Sequence, residues 1–247
     1  MKKYKFITFN IHKARSTFLL SNTLIKIKEA THSLPVDFMF IQELVGEGAD
    51  FIPKGLSTKV SSQMEILADS IWTDHCYGKN AVYKDRHHGN AILSRFPITK
   101  WENENISTNK WEQRGLLHCE IPLENGQILH LFNVHLNLLH EERVKQVERV
   151  IARYSKLIPP DAPFILAGDF NDWGKELSHY LESKLNLFEC HKQLKNRYAK
   201  TFPSFFPMLS LDRIYARNIK PTYIETLSNT PWSLLSDHLP MYLEFEI

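Results

Sequence analysis

Several short runs end an apolar stretch on a carboxylate, an amide or an imidazole. Asn10 closes Phe6-Ile7-Thr8-Phe9, Glu43 closes Phe38-Met39-Phe40-Ile41-Gln42, His135 closes Leu131-Phe132-Asn133-Val134, and Asp169 closes Phe164-Ile165-Leu166-Ala167-Gly168. Asp212 lies inside Ser210-Leu211-Asp212-Arg213-Ile214-Tyr215, and Asp237-His238 precede the last apolar run. Strand ends on one rim of a sheet converge, so such side chains, distant in sequence, can form one oxygen-rich pocket. That donor set suits Mg²⁺, with Mn²⁺ as a substitute, because Mg²⁺ takes oxygen ligands and keeps waters beside a substrate phosphate. Zinc would call for a denser His/Cys cluster such as H-E-x-x-H, which is absent. The matching chemistry is phosphoester hydrolysis, where charge must be neutralised, water aligned and a leaving oxygen stabilised. Any one of these residues alone reads equally well as a turn former or a helix cap; only the joint pattern points to a site.

The elements that must position them are mostly strands. Runs rich in β-branched and aromatic residues cover Tyr4 to Thr8, Val36 to Ile41, Asn90 to Leu93, Leu116 to Ile121, Ile128 to Val134, Phe164 to Ala167, Leu211 to Tyr215 and Met241 to Phe245. An amphipathic helix is predicted from about Glu141 to Ile158, stopped by Pro159-Pro160, with others over Ser16 to Ala30 and Gln63 to Ile71. Several strands follow one another without an intervening helix, which favours hairpins and mixed sheets over a strictly alternating doubly wound fold.

At 247 residues, with no linker or repeat, one domain spanning 1–247 is expected. A formal charge of +2 is far from that of a dedicated DNA binder. Cys76, Cys119 and Cys190 form no C-x-x-C pair and read as reduced thiols. With neither a signal-peptide h-region nor a membrane-length apolar run, a cytoplasmic monomer is expected.

Read together, the motifs resemble the endonuclease/exonuclease/phosphatase superfamily, whose fold is DNase I-like. The matching segments are Thr8-Phe9-Asn10-Ile11-His12, Ile41-Gln42-Glu43-Leu44, His88-Gly89-Asn90-Ala91-Ile92-Leu93-Ser94-Arg95, Gln113-Arg114-Gly115, Asn133-Val134-His135-Leu136, Gly168-Asp169-Phe170-Asn171-Asp172, Leu211-Asp212-Arg213-Ile214-Tyr215 and Ser236-Asp237-His238. Within it the chain is most similar to the small bacterial YbhP-type branch, through Trp72 to Asn80, His87 to Asn90 and Ala167 to Trp173.

The resemblance implies an α/β (α+β) four-layer sandwich, two packed mixed sheets flanked by helices, with the site at one edge. It implies Glu43 as principal metal ligand with Asn10 and Asp237 nearby, Asp169 and Asn171 facing the attacking water and phosphate, and His238, oriented by Asp212, on a phosphate oxygen. His135 would be the second imidazole. Either Asp169 or the His238–Asp212 pair would serve as general base. Arg114 matches a basic position near the phosphate, or is a surface ion-pair partner. His87 and His88 stand where relatives carry a Tyr or another polar residue; His88, adjoining Gly89-Asn90, is the preferred substrate contact, with Asn90 beside it. His12 stands two residues beyond Asn10, close to the pocket.

The expected activity is thus metal-dependent phosphoester hydrolysis, with a small or lipid-linked phosphodiester as substrate, nucleic acid as runner-up, and a silent binding module as the third reading. Lys192, Lys195, Arg197, Lys200, Arg213, Arg217 and Lys220 against the single acid Asp212 make 190–221 the most basic stretch, a phosphate-attracting field or a solvated face. Phe202-Pro203-Ser204-Phe205-Phe206-Pro207-Met208-Leu209 reads as a membrane- or base-contacting turn, or as core packing under a loop.

Overall fold

The computed structural model describes residues 2–15, 23–47, 62–68, 71–82 and 87–247. Its strands are β1 (Lys3–Asn10), β2 (Phe38–Glu47), β3 (Asp74–Val82), β4 (His87–Ser94), β5 (Lys100–Asn105), β6 (Gly115–Pro122), β7 (Ile128–His135), β8 (Phe164–Asp169), β9 (Phe188–Glu189), β10 (Asp212–Arg217), β11 (Lys220–Thr226) and β12 (Met241–Glu246). The α-helices are α1 (Leu24–His32), α2 (Gln63–Leu67), α3 (His140–Leu157), α4 (Glu176–Leu185), α5 (Cys190–Lys195) and α6 (Trp232–Leu235).

The strands form two six-stranded mixed sheets, ordered β11-β12-β1-β2-β4-β3 and β5-β6-β7-β8-β10-β9. Each has one parallel pair at its centre, β1 with β2 and β7 with β8. Central strands are apolar on both faces because both faces are covered. In β1, Phe6 enters the layer between the sheets with Phe40, Ile92, Leu117, Leu131, Ile165 and Leu243, whereas Ile7 packs outward with Met39 against Leu24 and Ile27 of α1. On the other side, Val147, Val150 and Tyr154 of α3 cover Phe132 and Phe164. The result is the expected four layers.

Three local expectations are corrected. The helix read over Ser16 to Ala30 is observed from Leu24; residues 16–22 lie outside the described ones. The helix read to Ile71 ends at Leu67, and residues 69–70 again lie outside. Glu43 does not end its strand: β2 continues to Glu47, and Glu43 sits at a bulge between Ile41 and Leu44 with φ +60°. A bulge re-aims a side chain without ending the ladder.

Beside that bulge, amides join the two sheets. Asn133 of β7 donates to the carbonyls of Ile41 (3.1 Å) and Ala91 (2.8 Å), and its own amide oxygen accepts from Gln42 Nε2 at 2.8 Å. Asn90 of β4 donates to the Gly115 and Asn133 carbonyls at 3.2 and 3.3 Å. Asn133→Ala strands two buried carbonyls and the Gln42 amide, each costing about 1–3 kcal/mol. A loss of about 3 kcal/mol or more is therefore expected from denaturant midpoints; a loss below about 1 kcal/mol would mean that apolar packing alone holds the sheets together.

Candidate active site

The C-terminal ends of β1, β7 and β8 and the N-terminal end of β10 come to one rim. His135 and Asp169 are register partners at the end of the parallel β7–β8 pair, and Asp212 stands opposite Asp169 on β10. Gly168 makes this approach possible. Its φ is +137°, and a Cβ there would lie 2.0 Å from the Val134 carbonyl oxygen, so a side chain would force β7 and β8 apart.

Asp169 is the centre of the cluster. Its Oδ2 accepts from Asn10 Nδ2 at 3.0 Å and faces His135 Nε2 at 3.6 Å and His238 Nε2 at 3.7 Å, while Oδ1 accepts from the Asn171 backbone N–H at 2.9 Å. Asn171, in a left-handed conformation (φ +49°), turns its amide back to donate to the Leu136 carbonyl at 2.9 Å. His238 Nδ1 donates to Asp212 Oδ2 at 2.9 Å. All of these side chains are buried.

The environment separates the two imidazoles. Burial opposes charge on His238, but the Asp212 and Asp169 carboxylates outweigh it and lift the group to about 10. Burial, reinforced by Arg114, His238 and His88, pushes His135 well below its ordinary value, so it is neutral. Burial also raises Asp169, to about 6, with Asp212 adding and His238 opposing.

A second, hard-oxygen cluster adjoins the first. Asp237 Oδ2 pairs with His12 Nδ1 at 3.1 Å, Glu43 Oε2 with Lys13 Nζ at 3.2 Å, and Asn10 Oδ1 accepts from the His12 backbone N–H at 3.1 Å. Burial disfavours charge on both acids, yet Lys13 and His12 beside Glu43, and His12 and His238 beside Asp237, hold them below their ordinary values. Two ionised carboxylates and an amide oxygen, whose direct ion-pair partners are the part-exposed His12 and Lys13, fit a divalent cation with several waters. At this rim the described donors that lie within 4.8 Å of one another are a different set, Asp169, Asp212 and His238. There the imidazolium itself supplies the positive charge.

Arg114 is largely buried, lies 3.5 Å from Glu112, and adds positive field at Glu43 and His135. His88 and Asn90 share the inter-sheet face of β4, and His88 is close enough to act electrostatically on His135. His87 faces the other way, 2.9 Å from the Tyr77 hydroxyl. Asn90 differs from expectation: its amide N–H groups are spent on backbone carbonyls across the sheets, which makes it a joint between them.

Sequence reading missed Lys13, the partner of Glu43; its place directly after Asn10-Ile11-His12 was the available signal. It also missed a cavity of about 430 Å³ beside the rim, lined in part by Trp173, Lys175, Arg197, Tyr198, Lys200 and Met208. The basic stretch is broken up. Arg213 is fully buried and bonded to the Asp172 carbonyl at 3.2 Å, Lys192 pairs with Glu182 and Lys220 with Glu246, and Arg217 donates to the Pro159 carbonyl. In the aromatic segment Phe202 packs against the His238 ring, while Phe205 (67%) and Phe206 (64%) are exposed.

A rim of this composition between two mixed sheets defines a class, and the comparisons agree. The chain belongs to the endonuclease/exonuclease/phosphatase family, whose profile matches residues 7–238. It is 37% identical over 245 residues to the uncharacterized protein YbhP of Escherichia coli (strain K12), covering 99% of this chain and 96% of YbhP. The fold is similar to that of D. rerio TDP2 complexed with single-strand DNA product (TM-score 0.76, 20% identity, 100% of both chains). It is also similar to that of the mannosyl-6-phosphatase Bt3783 of Bacteroides thetaiotaomicron (TM-score 0.74, 19% identity, 99% of this chain and 100% of that one). Family membership supports a phosphoester hydrolase. Among the described residues, no helix is long and apolar enough to cross a membrane.

The charge pattern fixes the pH behaviour of the metal-free protein. Asp169 and His238 both have folded values above their ordinary 3.8 and 6.5, so each contributes stability that is lost as pH rises, Asp169 towards about 6 and His238 towards about 10. NMR titration should find the His238 ring protonated at pH 8, and Asp212→Asn should bring its midpoint down by at least one unit. An unchanged midpoint would remove Asp212 as the cause.

Proposed function

We propose that this chain is a Mg²⁺-dependent phosphodiesterase that cleaves a small or lipid-linked phosphoester by in-line attack of water. The observation that carries the proposal is the convergence of two buried imidazoles, His135 and His238, on one buried carboxylate oxygen of Asp169 at 3.6 and 3.7 Å. Asp169, titrating near neutrality and held by Asn10 and the Asn171 N–H, takes the proton of the attacking water. The water oxygen bonds to phosphorus as the bond to the leaving oxygen breaks. His238, kept cationic by Asp212, and neutral His135, as an N–H donor, stabilise the phosphoryl oxygens, with Arg114 and His88 adding donors at the phosphate. Because His238 is already protonated, Asp169 is preferred to the His238–Asp212 pair as general base. Glu43, Asp237 and Asn10 would hold Mg²⁺ or Mn²⁺, which supplies Lewis-acid charge neutralisation at the phosphate.

The cavity lined by Lys175, Arg197 and Lys200 next to exposed Phe205 and Phe206 favours an anionic substrate with an apolar portion. Dispersal of the basic stretch argues against a long backbone-tracking groove and so ranks nucleic acid second, even though TDP2 is found with single-strand DNA product. The assembled set of ionised, mutually oriented groups argues against a silent binding module.

The test is turnover of a chromogenic phosphodiester, phospholipids, inositol phosphates, RNA and plasmid DNA with Mg²⁺ or Mn²⁺. Asp169→Ala should lower kcat by about 10²–10⁴-fold on the preferred substrate. Glu43→Ala should raise the metal concentration needed for half-maximal rate. Metal-dependent turnover indifferent to Glu43→Ala would overturn the metal assignment, and preferred cleavage of DNA or RNA would reverse the substrate ranking.

A further inference from the structure

A second group of metal-competent side chains lies on the other face of the β5-β6-β7 sheet, beneath α3. On β6, His118 and Glu120 are two residues apart and share a face; Glu120 is paired in register with His130 of β7, and Glu102 of β5 with His118. His118 Nε2 and His130 Nδ1 are 3.1 Å apart, and one donor atom each from His118, Glu120 and His130 lies within 4.8 Å of the others. His130 and the catalytic His135 are five residues apart on β7, hence on opposite faces and about 17 Å apart along the strand.

We propose that His118, His130 and Glu120 bind one zinc-type transition-metal ion, independent of the catalytic cation. Nitrogen ligands at about 2.0–2.1 Å from a tetrahedral ion stand roughly 3.3 Å apart, close to the 3.1 Å separation seen here, so small ring rotations would turn both lone pairs onto one ion. Glu120 is partly exposed and paired with Lys100 Nζ at 3.4 Å, a contact weak enough to let it swing in as third ligand. Water completes the shell.

The tautomer of His118 suits this role, while His130, whose Nδ1 carries the proton of the 3.1 Å contact, must move that proton to its other ring nitrogen as the ion takes its place. Glu102 Oε1 lies 3.4 Å from His118 Nδ1, which places the ring proton there and directs the Nε2 lone pair towards His130. A carboxylate behind a ligating histidine is the recurrent outer-shell arrangement of metal sites. Glu102 is itself clamped by Arg153 of α3, which also reaches Glu104 at 3.0 Å. Burial keeps both rings neutral, the form a metal requires. A plain N–H···N bond would account for the two histidines but gives no role to the convergence of Glu120 or the anchored Glu102. Two imidazoles and a carboxylate select zinc-like ions, whereas the all-oxygen Glu43 cluster selects Mg²⁺, so one chain can sort two metals. The site would pin β6 and β7 together under α3.

The test uses chelator-stripped full-length protein titrated with Co²⁺ and Zn²⁺. One equivalent of Co²⁺ should give the strong visible absorption of four-coordinate cobalt, which an oxygen-bound six-coordinate ion lacks, and Zn²⁺ should displace it. His130→Asn should abolish the band. Glu120→Gln, at a partly exposed position that threatens folding least, should weaken binding at least tenfold, and Glu102→Gln by roughly 10–100-fold. Glu43→Ala should leave the band intact. Absence of the band in the wild-type protein, or its survival in folded Glu120→Gln and His130→Asn, overturns the proposal.

Discussion

The sheets meet through a buried amide. Asn133 fills its donors with carbonyls of two strands in the opposite sheet and its acceptor with Gln42, whose Nε2 also lies 3.1 Å from the Thr8 hydroxyl. Apolar layers slide at little cost, because dispersion and the hydrophobic effect are weakly directional. Directed hydrogen bonds do not. Placed within two residues of Glu43 and His135, this joint fixes the rim of one sheet against that of the other. The 3.0 Å hydrogen bond from Asn10 in one sheet to Asp169 in the other spans the same junction. The joint also accounts for Asn90, which serves it from β4.

That rigidity is what makes the electrostatics possible. Asp169, Asp212 and His238 are all nearly inaccessible to water, and each alone would avoid ionisation there. Together they hold a formal balance: one imidazolium between two carboxylates, with His135 left neutral because a second cation would add repulsion to its desolvation. Protonation states here are properties of the arrangement, so residue type alone did not assign them.

The same reasoning says which parts of the molecule could be read from sequence. The strands recognised in advance, β1, β2, β4, β6, β7, β8, β10 and β12, are interior members of the two sheets. The four that escaped, β3, β5, β9 and β11, are the edges. An interior strand buries both faces and announces itself as an apolar run. An edge strand such as Lys100-Trp101-Glu102-Asn103-Glu104-Asn105 carries charge and amides, which discourage pairing with another chain, and so it reads as a loop. The rim acids were visible because polar residues terminate apolar runs. The Glu43 bulge and the Asn90 joint were not, since both depend on partners far away in sequence.

The turn after β1 brings basic side chains to the acidic rim. His12, Lys13 and Ala14 all have positive φ, 45°, 57° and 55°, an arrangement that costs of order 1–3 kcal/mol per residue and persists only where other contacts fix it. The fixing contacts are the rim's own: Asn10 Oδ1 takes the His12 N–H, His12 takes Asp237, and Lys13 takes Glu43. The strained turn thus delivers an imidazole and an ammonium to two partly buried carboxylates. Both side chains are 38% exposed, so they can return to water at little cost when a divalent ion takes over their charge. Internal counter-ions of this kind stabilise the metal-free fold and weaken metal affinity by the same amount, because what binds the empty site competes with the ion.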